Sequence, residues 1–482
     1  MPRRVSIAFE AGKPLADQLF ELGVEFPCGG GSACGSCKVR VLEGAVAVTE
    51  TMRSALSENE ISAGWRLACE AAADAAVTIE VAQWTPRILT DESALDVEPR
   101  PGLGIAVDLG TTTVVAQLVD LTTGEILGIQ AELNAQARHG ADLMSRVENA
   151  LRQPGVLTNL IRRQIARMAE TLAGGRAVEE VLVCGNTVMH HLFGGLDVSP
   201  LAAVPFRTPH PGAIVMTGAE TGLHAPRVEF LPVIGGFAGS DLLCGIISVG
   251  MNTGAETASI MDLGTNGEVA VATGGRIRCA STAAGPAFEA GGIRRGMRAG
   301  DGAIDHAWIE GGAMTCHVLG GGAAHGICGS GLVDAVAAAL DLGLLRATGR
   351  MANGEIPLRD GVSLYQSDVR QLQLAKGAAA AALTLLGGAG THLYLAGAFG
   401  NYLREAGARR IGLLPAEARV TPSGNTALRG VRQLLLKHVG RDDLIQAVLD
   451  RTEHVELAAD PGFQDAFASH MALDPVSEAT GM

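Results

Sequence analysis

Two stretches of this chain read as copies of one another, IAVDLGTTTVVAQLVD at 105–120 and SIMDLGTNGEVAVATGG at 259–275. Each is a β-branched apolar run that breaks at Asp-Leu-Gly-Thr and resumes as a second alternating run, the pattern of strand, tight turn and returning strand. The turn bends where Gly110 or Gly264 removes the Cβ, and its first strand ends on Asp108 or Asp262. Thr111, Thr112 and Thr113 follow in the first copy, and Thr265, Asn266 and Gly267 in the second. Amides and hydroxyls at such a turn cradle phosphate, while an adjacent carboxylate holds Mg²⁺ or orients a water. A single Asp-x-Gly hairpin is a common structural turn. Two in one chain predict a duplicated domain that closes on a nucleotide from both sides.

A third element lies at 391–403, THLYLAGAFGNYL, which reads as a strand, the turn Gly397, Ala398, Phe399 and Gly400, and a new helix. With these three elements in order, the chain resembles the large superfamily that holds sugar kinases, acetate kinase, Hsp70 and actin. That resemblance implies two RNase-H-like domains, ATP with Mg²⁺ on the hairpins, and adenosine against Gly397–Gly400. Asp108, Asp241 and Asp262 are the candidates for orienting the hydrolytic water or the metal. Asp241 opens the helix in LPVIGGFAGSDLLCGIIS, where it serves either as an N-terminal charge partner or as a carboxylate facing Mg²⁺.

The most specific signal is near the amino terminus, where Cys28, Cys34 and Cys37 have the spacing x5 and x2, and Cys69 follows. Glycines among the first three let a loop wrap closely with its amides turned towards sulfur. Structural zinc sites show two paired knuckles, and Cys69 has no second cysteine beside it. The pattern resembles the [2Fe–2S] ferredoxins, with the x5 loop of the adrenodoxin-like branch, and implies a β-grasp fold. LSENEISAGWRLAC supplies a capping box at Ser57 and Glu60 and a hydrophobic staple of Leu56 with Ile61, so a short helix is expected to deliver Cys69. VSIAFEAG runs almost directly into LADQLFELG, which predicts a ferredoxin trimmed of its second strand. Residues 86–102, proline-bearing and charged, read as a semi-flexible linker without chemistry.

A length of 482 residues allows about three domains at ~150 residues each. The expected division is a ferredoxin at 1–85, the linker, a first RNase-H-like domain at 103–205 and a second at 206–482. No run approaches the roughly 18 apolar residues of a membrane span, and the first residues lack the apolar core of a signal peptide, so a cytoplasmic protein without membrane contact is expected. A net charge of -14, with no basic stripe, argues against nucleic acid. Nine cysteines in such a chain point to metal ligands and free thiols, and Cys184, Cys244, Cys279, Cys316 and Cys328 read as buried thiols.

Other polar residues have two readings each. Asp142, Arg146 and Asn149 share a helical face, either solvated or functional. His190 and His191 lack an acid or cysteine at metal spacing, which favours a packed or capping pair on a helix starting near Asn186 or Thr187. Glu289, in STAAGPAFEAGG, is a candidate for ribose or metal, and Gly329 and Ser330 open a helix suited to an anion.

The order of motifs, from the ferredoxin through GNTVMHHLFG, DLGTNGE, STAAGPAFE, GICGSGLVDA and QLQLAKGA to LAGAFGNY, resembles the reductive activators of corrinoid-dependent methyltransferases over nearly the whole chain. The resemblance implies an ATP-hydrolysing reductase that returns a Co(II) corrinoid to Co(I) through a [2Fe–2S] cluster. It further implies a corrinoid-protein partner, an upstream electron donor and a homodimer as an assembly to look for. This chain lacks a substantial domain that longer members have between ferredoxin and ATPase. The physical logic agrees, since a plant-type cluster near about -400 mV is too weak for Co(II) unaided and nucleotide-driven closure can supply the difference. Three rivals remain at this point: a small-molecule kinase fused to a ferredoxin, an actin-like or chaperone-like binding protein, and an activator of another low-potential enzyme.

Overall fold

The computed structural model describes residues 3–8, 15–22, 24, 26, 37–81, 89–140, 142–253, 257–264 and 266–475, which form two compact units. One comprises 1–87, 137–142 and 286–372, and the other 88–136, 143–285 and 373–482.

In the first unit, a four-stranded sheet runs in the order Arg3–Ile7, Val77–Val81, Lys38–Glu43, Trp65–Leu67. Val77, Ile79 and Val81 alternate inward along their strand and meet Leu19, Val39, Met52 and Leu67 in one core. The Ser57–Glu60 capping box forms as the sequence reads, and Leu56 and Ile61 share this core. Residues 9–14, on which the trimmed edge turns, lie outside the described residues. The unit also contains a three-stranded sheet, Ala313–Val318, Ala303–Glu310 and Gly326–Ile327, and the helix Gly329–Asp341.

The second unit contains two six-stranded sheets. The first has the order Ile126–Leu133, Thr113–Asp120, Leu103–Leu109, Glu180–Gly185, Arg227–Phe230, Ile214–Met216. The second has the order Arg419–Gly424, His392–Ala396, Ala258–Leu263, Gly267–Thr273, Arg276–Thr282, Thr452–His454. Each is an antiparallel meander whose first strand also takes a parallel neighbour, Glu180–Gly185 in one and His392–Ala396 in the other. The duplication seen in the two hairpins therefore extends through the sheets.

Leu103–Leu109 is buried on both faces: Ile105 and Val107 face the helix Val156–Ala173, while Ala106 faces the core that joins the sheets. That explains its unbroken apolar run. The joining core sets Ala106 and Val115 of the first sheet and Ile260 and Ala270 of the second around helices Ser240–Ser248 and Thr426–Leu436. Leu428, Val431 and Leu435 line one stripe of the latter helix.

Two expectations need correction. The first sheet does not end near 205, because Ile214–Met216 and Arg227–Phe230 continue it. A parallel strand joins its neighbour through a long crossover, so local sequence does not mark which sheet it enters. Nor is 86–102 a free linker over its described part. Glu98 accepts from Lys437 Nζ at 3.0 Å and from the Val439 amide at 2.6 Å, and Arg100 pairs with Glu180 at 2.6 Å. Asp91 is only 7% exposed between Arg429 and Arg432.

Candidate functional site

The first hairpin closes at Leu109 opposite Val114, and the Gly110 amide donates to the Thr113 carbonyl at 2.9 Å. A Cβ on Gly110 would stand 2.9 Å from that same oxygen, so the turn needs glycine here. The second hairpin closes at Leu263 opposite Gly267, with the Gly264 amide donating to the Asn266 carbonyl at 3.1 Å. Thr265 lies outside the described residues.

Three polar side chains brace the first turn. Asn134 donates to the Gly110 carbonyl at 2.8 Å, Asn186 donates to Thr111 Oγ1 at 3.0 Å, and the Arg146 guanidinium donates to the Thr111 carbonyl. Arg146 is therefore not on a solvated face. Leu143, Arg146 and Val147 form the buried stripe of the helix Leu143–Arg152, while Asp142 and Met144 are exposed. Asn186 also caps the helix Thr187–Gly194, accepting from the Met189 amide at 3.1 Å. His190 and His191 on that helix are fully buried; they bond the carbonyls of Gly212 at 3.0 Å and Thr187 at 2.9 Å. Burial pushes His190 down to about 3, as suits neutral packed rings.

Four carboxylates gather between the two hairpins. Burial raises Asp108 to about 6 against the opposing hydrogen bond from Asn425. Burial, together with the charges of Asp108 and Asp262, raises Asp241 to about 7. Glu268 is driven well above the ordinary carboxylate range by burial and by Asp241 and Asp262. Asp262 and Glu268 stand directly opposite on paired strands, where like charges repel. Such a cluster is stabilised by a cation. Among the described residues, no three His, Cys, Asp or Glu side chains close on one ion. Carboxylate oxygens are the hard donors that a divalent cation such as Mg²⁺ takes.

The stretch expected to hold adenosine differs from its sequence reading. No loop intervenes, because the helix Gly397–Tyr402 begins directly after His392–Ala396. Gly397 has φ +77°, and a Cβ there would stand 2.4 Å from Asp262 Oδ1. The backbone thus comes against the carboxylate, and Phe399 and Gly400 are buried while Ala398 is exposed. Glu289, Gly329 and Ser330 belong to the first unit and the carboxylates to the second. Ser330 is buried, with its hydroxyl donating to the Asp305 carbonyl at 3.1 Å.

Two residues at the carboxylates escaped the sequence reading. Glu268 was legible as the partner of Asp262 across the turn. Asn425, whose Nδ2 donates to Asp108 Oδ2 at 2.9 Å, left no local signal beyond its place before a helix.

In the first unit, Cys37 and Cys69 bring their sulfurs within 3.2 Å. Pairing of Lys38–Arg40 with Trp65–Leu67 sets both at one end of the sheet, and the Ala68 amide donates to the Cys37 carbonyl at 2.7 Å. The short helix Glu58–Ser62 forms after the capping box, the strand Trp65–Leu67 follows it, and Cys69 itself sits in the 3-10 helix Ala68–Glu70. Two converging thiols are the donor chemistry that iron or zinc accepts. Cys28 and Cys34 lie outside the described residues. Replacing Cys69 with serine is expected to abolish the visible charge-transfer spectrum of the reconstituted protein, while Cys184→Ser, at a fully buried thiol beside Asp108, leaves it unchanged. A retained spectrum in the Cys69 variant would remove that residue from the ligand set.

Family-level comparison matches residues 1–74 to the 2Fe-2S iron-sulfur cluster binding domain. It matches 103–254 to the RACo middle region and 256–480 to the C-terminal domain of RACo, the ASKHA domain. The corrinoid activation enzyme RamQ of Eubacterium limosum is 34% identical over 416 residues, covering 76% of this chain and 70% of that protein. A [Co(II) methylated amine-specific corrinoid protein] reductase of Methanosarcina barkeri is 30% identical over 417 residues, covering 77% and 76%. The solved structure of a reductive activator for corrinoid, iron-sulfur protein has the same fold, with a TM-score of 0.67 at 23% identity over 98% of this chain and 97% of that one. Among the described residues, no helix is long and apolar enough to cross a membrane.

Proposed function

The chain belongs to the RACo family of corrinoid activation proteins, and from that premise we propose that it is an ATP-dependent reductase returning a Co(II) corrinoid protein to Co(I). The carrying observation is the presence, in one chain, of two converging cysteine thiols and a duplicated hairpin fold whose buried carboxylates raise one another's pKa.

Cys28, Cys34, Cys37 and Cys69 hold the cluster, which when bound supplies one electron at low potential. Asp108, Asp241, Asp262 and Glu268 would hold Mg²⁺, which would supply positive charge beside the phosphates, and the turns at Gly110–Thr113 and Gly264–Gly267 would receive phosphate. Gly397 brings backbone to the same place, so adenosine lies along the start of its helix. One of the three aspartates orients the attacking water. An upstream donor must recharge the protein after each transfer. The buried thiols Cys184, Cys244, Cys279, Cys316 and Cys328 fit a reducing compartment such as the cytoplasm.

Reduction of cobalt is uphill for such a centre, so ATP must act through a complex whose free energy differs between nucleotide states. The test mixes chemically reduced protein with a Co(II) corrinoid protein and follows Co(I) by absorbance. It compares ATP, a non-hydrolysable analogue and no nucleotide. Co(I) is expected to form with ATP, and the Co(II) partner is expected to accelerate hydrolysis in turn. Identical rates and yields in all three arms would reduce the protein to a simple electron carrier.

A further inference from the structure

The helix Thr426–Leu436 joins the carboxylates to the segment that follows the iron–sulfur domain. Its cap, Asn425, accepts from the Leu428 amide at 2.8 Å through Oδ1, which fixes the plane of the side-chain amide. The Nδ2 group then faces two acceptors, Asp108 Oδ2 at 2.9 Å and the Leu89 carbonyl at 3.4 Å. One and two turns further along the same face, Arg429 and Arg432 grip Asp91, donating to Oδ2 from Arg429 Nε and to Oδ1 from Arg432 Nη2, both at 2.9 Å. Gln117 of the first sheet donates to the Asp91 carbonyl at 2.6 Å. Residues 89–93 are thus held on the helix whose cap touches Asp108.

We propose that Asn425 is a positioning residue that links Asp108 to residues 89–93, so that nucleotide binding at the carboxylates tightens this segment. The inference rests on the reading that nucleotide with Mg²⁺ sits at Asp108. The physical basis is that one nitrogen serves both acceptors, each through one of its two N–H groups, so a shift towards either acceptor lengthens the other bond. Of the two, the carboxylate is the nearer and charged acceptor and takes the better bond. The bond to Leu89 is left longer than the usual range of about 2.7–3.2 Å. A cation beside Asp108 draws on the same carboxylate charge and weakens it as an acceptor. The amide then closes on the Leu89 carbonyl.

The test uses full-length protein with its cluster reconstituted and reads hydrogen exchange by mass spectrometry in peptides covering 86–96 and 426–436. Nucleotide binding is measured separately with a fluorescent ATP analogue. ATP·Mg²⁺ is expected to slow exchange in 86–96 several-fold in the unaltered protein. Asn425→Ser keeps a capping oxygen but cannot donate to Asp108. It should bind nucleotide, leave 426–436 unchanged, lose the protection of 86–96, and lower the turnover of ATP about tenfold, in line with one lost hydrogen bond to a charged group. If serine loosens 426–436, Asn425→Thr is read in its place, because it also caps with a hydroxyl and carries no amide to donate to Asp108. Protection equal in the variant and the unaltered protein would overturn the link. So would nucleotide binding that leaves 86–96 of the unaltered protein unchanged. Absence of nucleotide binding by the unaltered protein would overturn both this inference and the reading beneath it.

Discussion

Replacing Asp262 with asparagine is expected to lower ATP hydrolysis on the order of 10²–10³-fold, with a change in nucleotide affinity of less than about tenfold. Asparagine keeps the shape where a Cβ on Gly397 would stand only 2.4 Å from Asp262 Oδ1, so the backbone need not move. What is lost is one negative charge facing Glu268 and acting on Asp241. Under the proposed function that charge would order Mg²⁺ in the nucleotide-bound protein, and its loss would weaken the transition state more than the ground state. In the metal-free protein the same charge acts against Asp241 and Glu268, and asparagine removes that repulsion. The variant should therefore melt at a higher temperature than the unaltered protein when Mg²⁺ is absent. A residue that merely supports the fold would show the opposite pattern, with a lower melting temperature and equal losses in binding and turnover. Thermal scans with and without Mg²⁺, beside steady-state kinetics, distinguish the two.

Asp91→Ala is expected to destabilise the protein by roughly 3–5 kcal/mol, the cost of leaving a buried cation without its partner. Arg432 is 1% exposed, and its guanidinium would face the protein interior without the carboxylate that now accepts from it at 2.9 Å. Burial alone would raise Asp91, yet hydrogen bonds from Arg429 and Ser93 outweigh it and hold the group below its ordinary 3.8. The folded protein therefore binds fewer protons here than the unfolded chain. The contribution is fully present above about 3.8 and fades as the pH falls through the lower, folded value. Urea unfolding at neutral pH should show the full difference, and the gap should narrow in acid. A cost under about 1 kcal/mol at neutral pH would place this pair with ordinary surface ion pairs.

Local chemistry was legible because its causes are neighbours in sequence. The hairpins follow from strand, glycine and returning strand, the Ser57–Glu60 box from a spacing of three, and the cap at Asn186 from a polar residue between a buried strand and a helix. Arg146 shows where this stops. Its spacing from Asp142 and Asn149 describes a polar face, but Leu143 and Val147 define the stripe that the fold buries, and the guanidinium goes inward with them to hold Thr111.

By itself, then, the sequence determined the duplicated hairpins and the spacing of the four cysteines, since a turn or a metal knuckle is specified by residues a few positions apart. The tertiary structure alone decided that Arg227–Phe230 joins the first sheet, that Glu268 and Asp241 repel one another, and that Asp91 is clamped by Arg432. It also decided that Asn425 reaches Asp108 across 317 residues of chain. Those pairings depend on which surfaces the two sheets bury between them. A hydrogen bond or charge pair across that core carries no periodicity in the sequence, because its partners are brought together by packing and not by spacing.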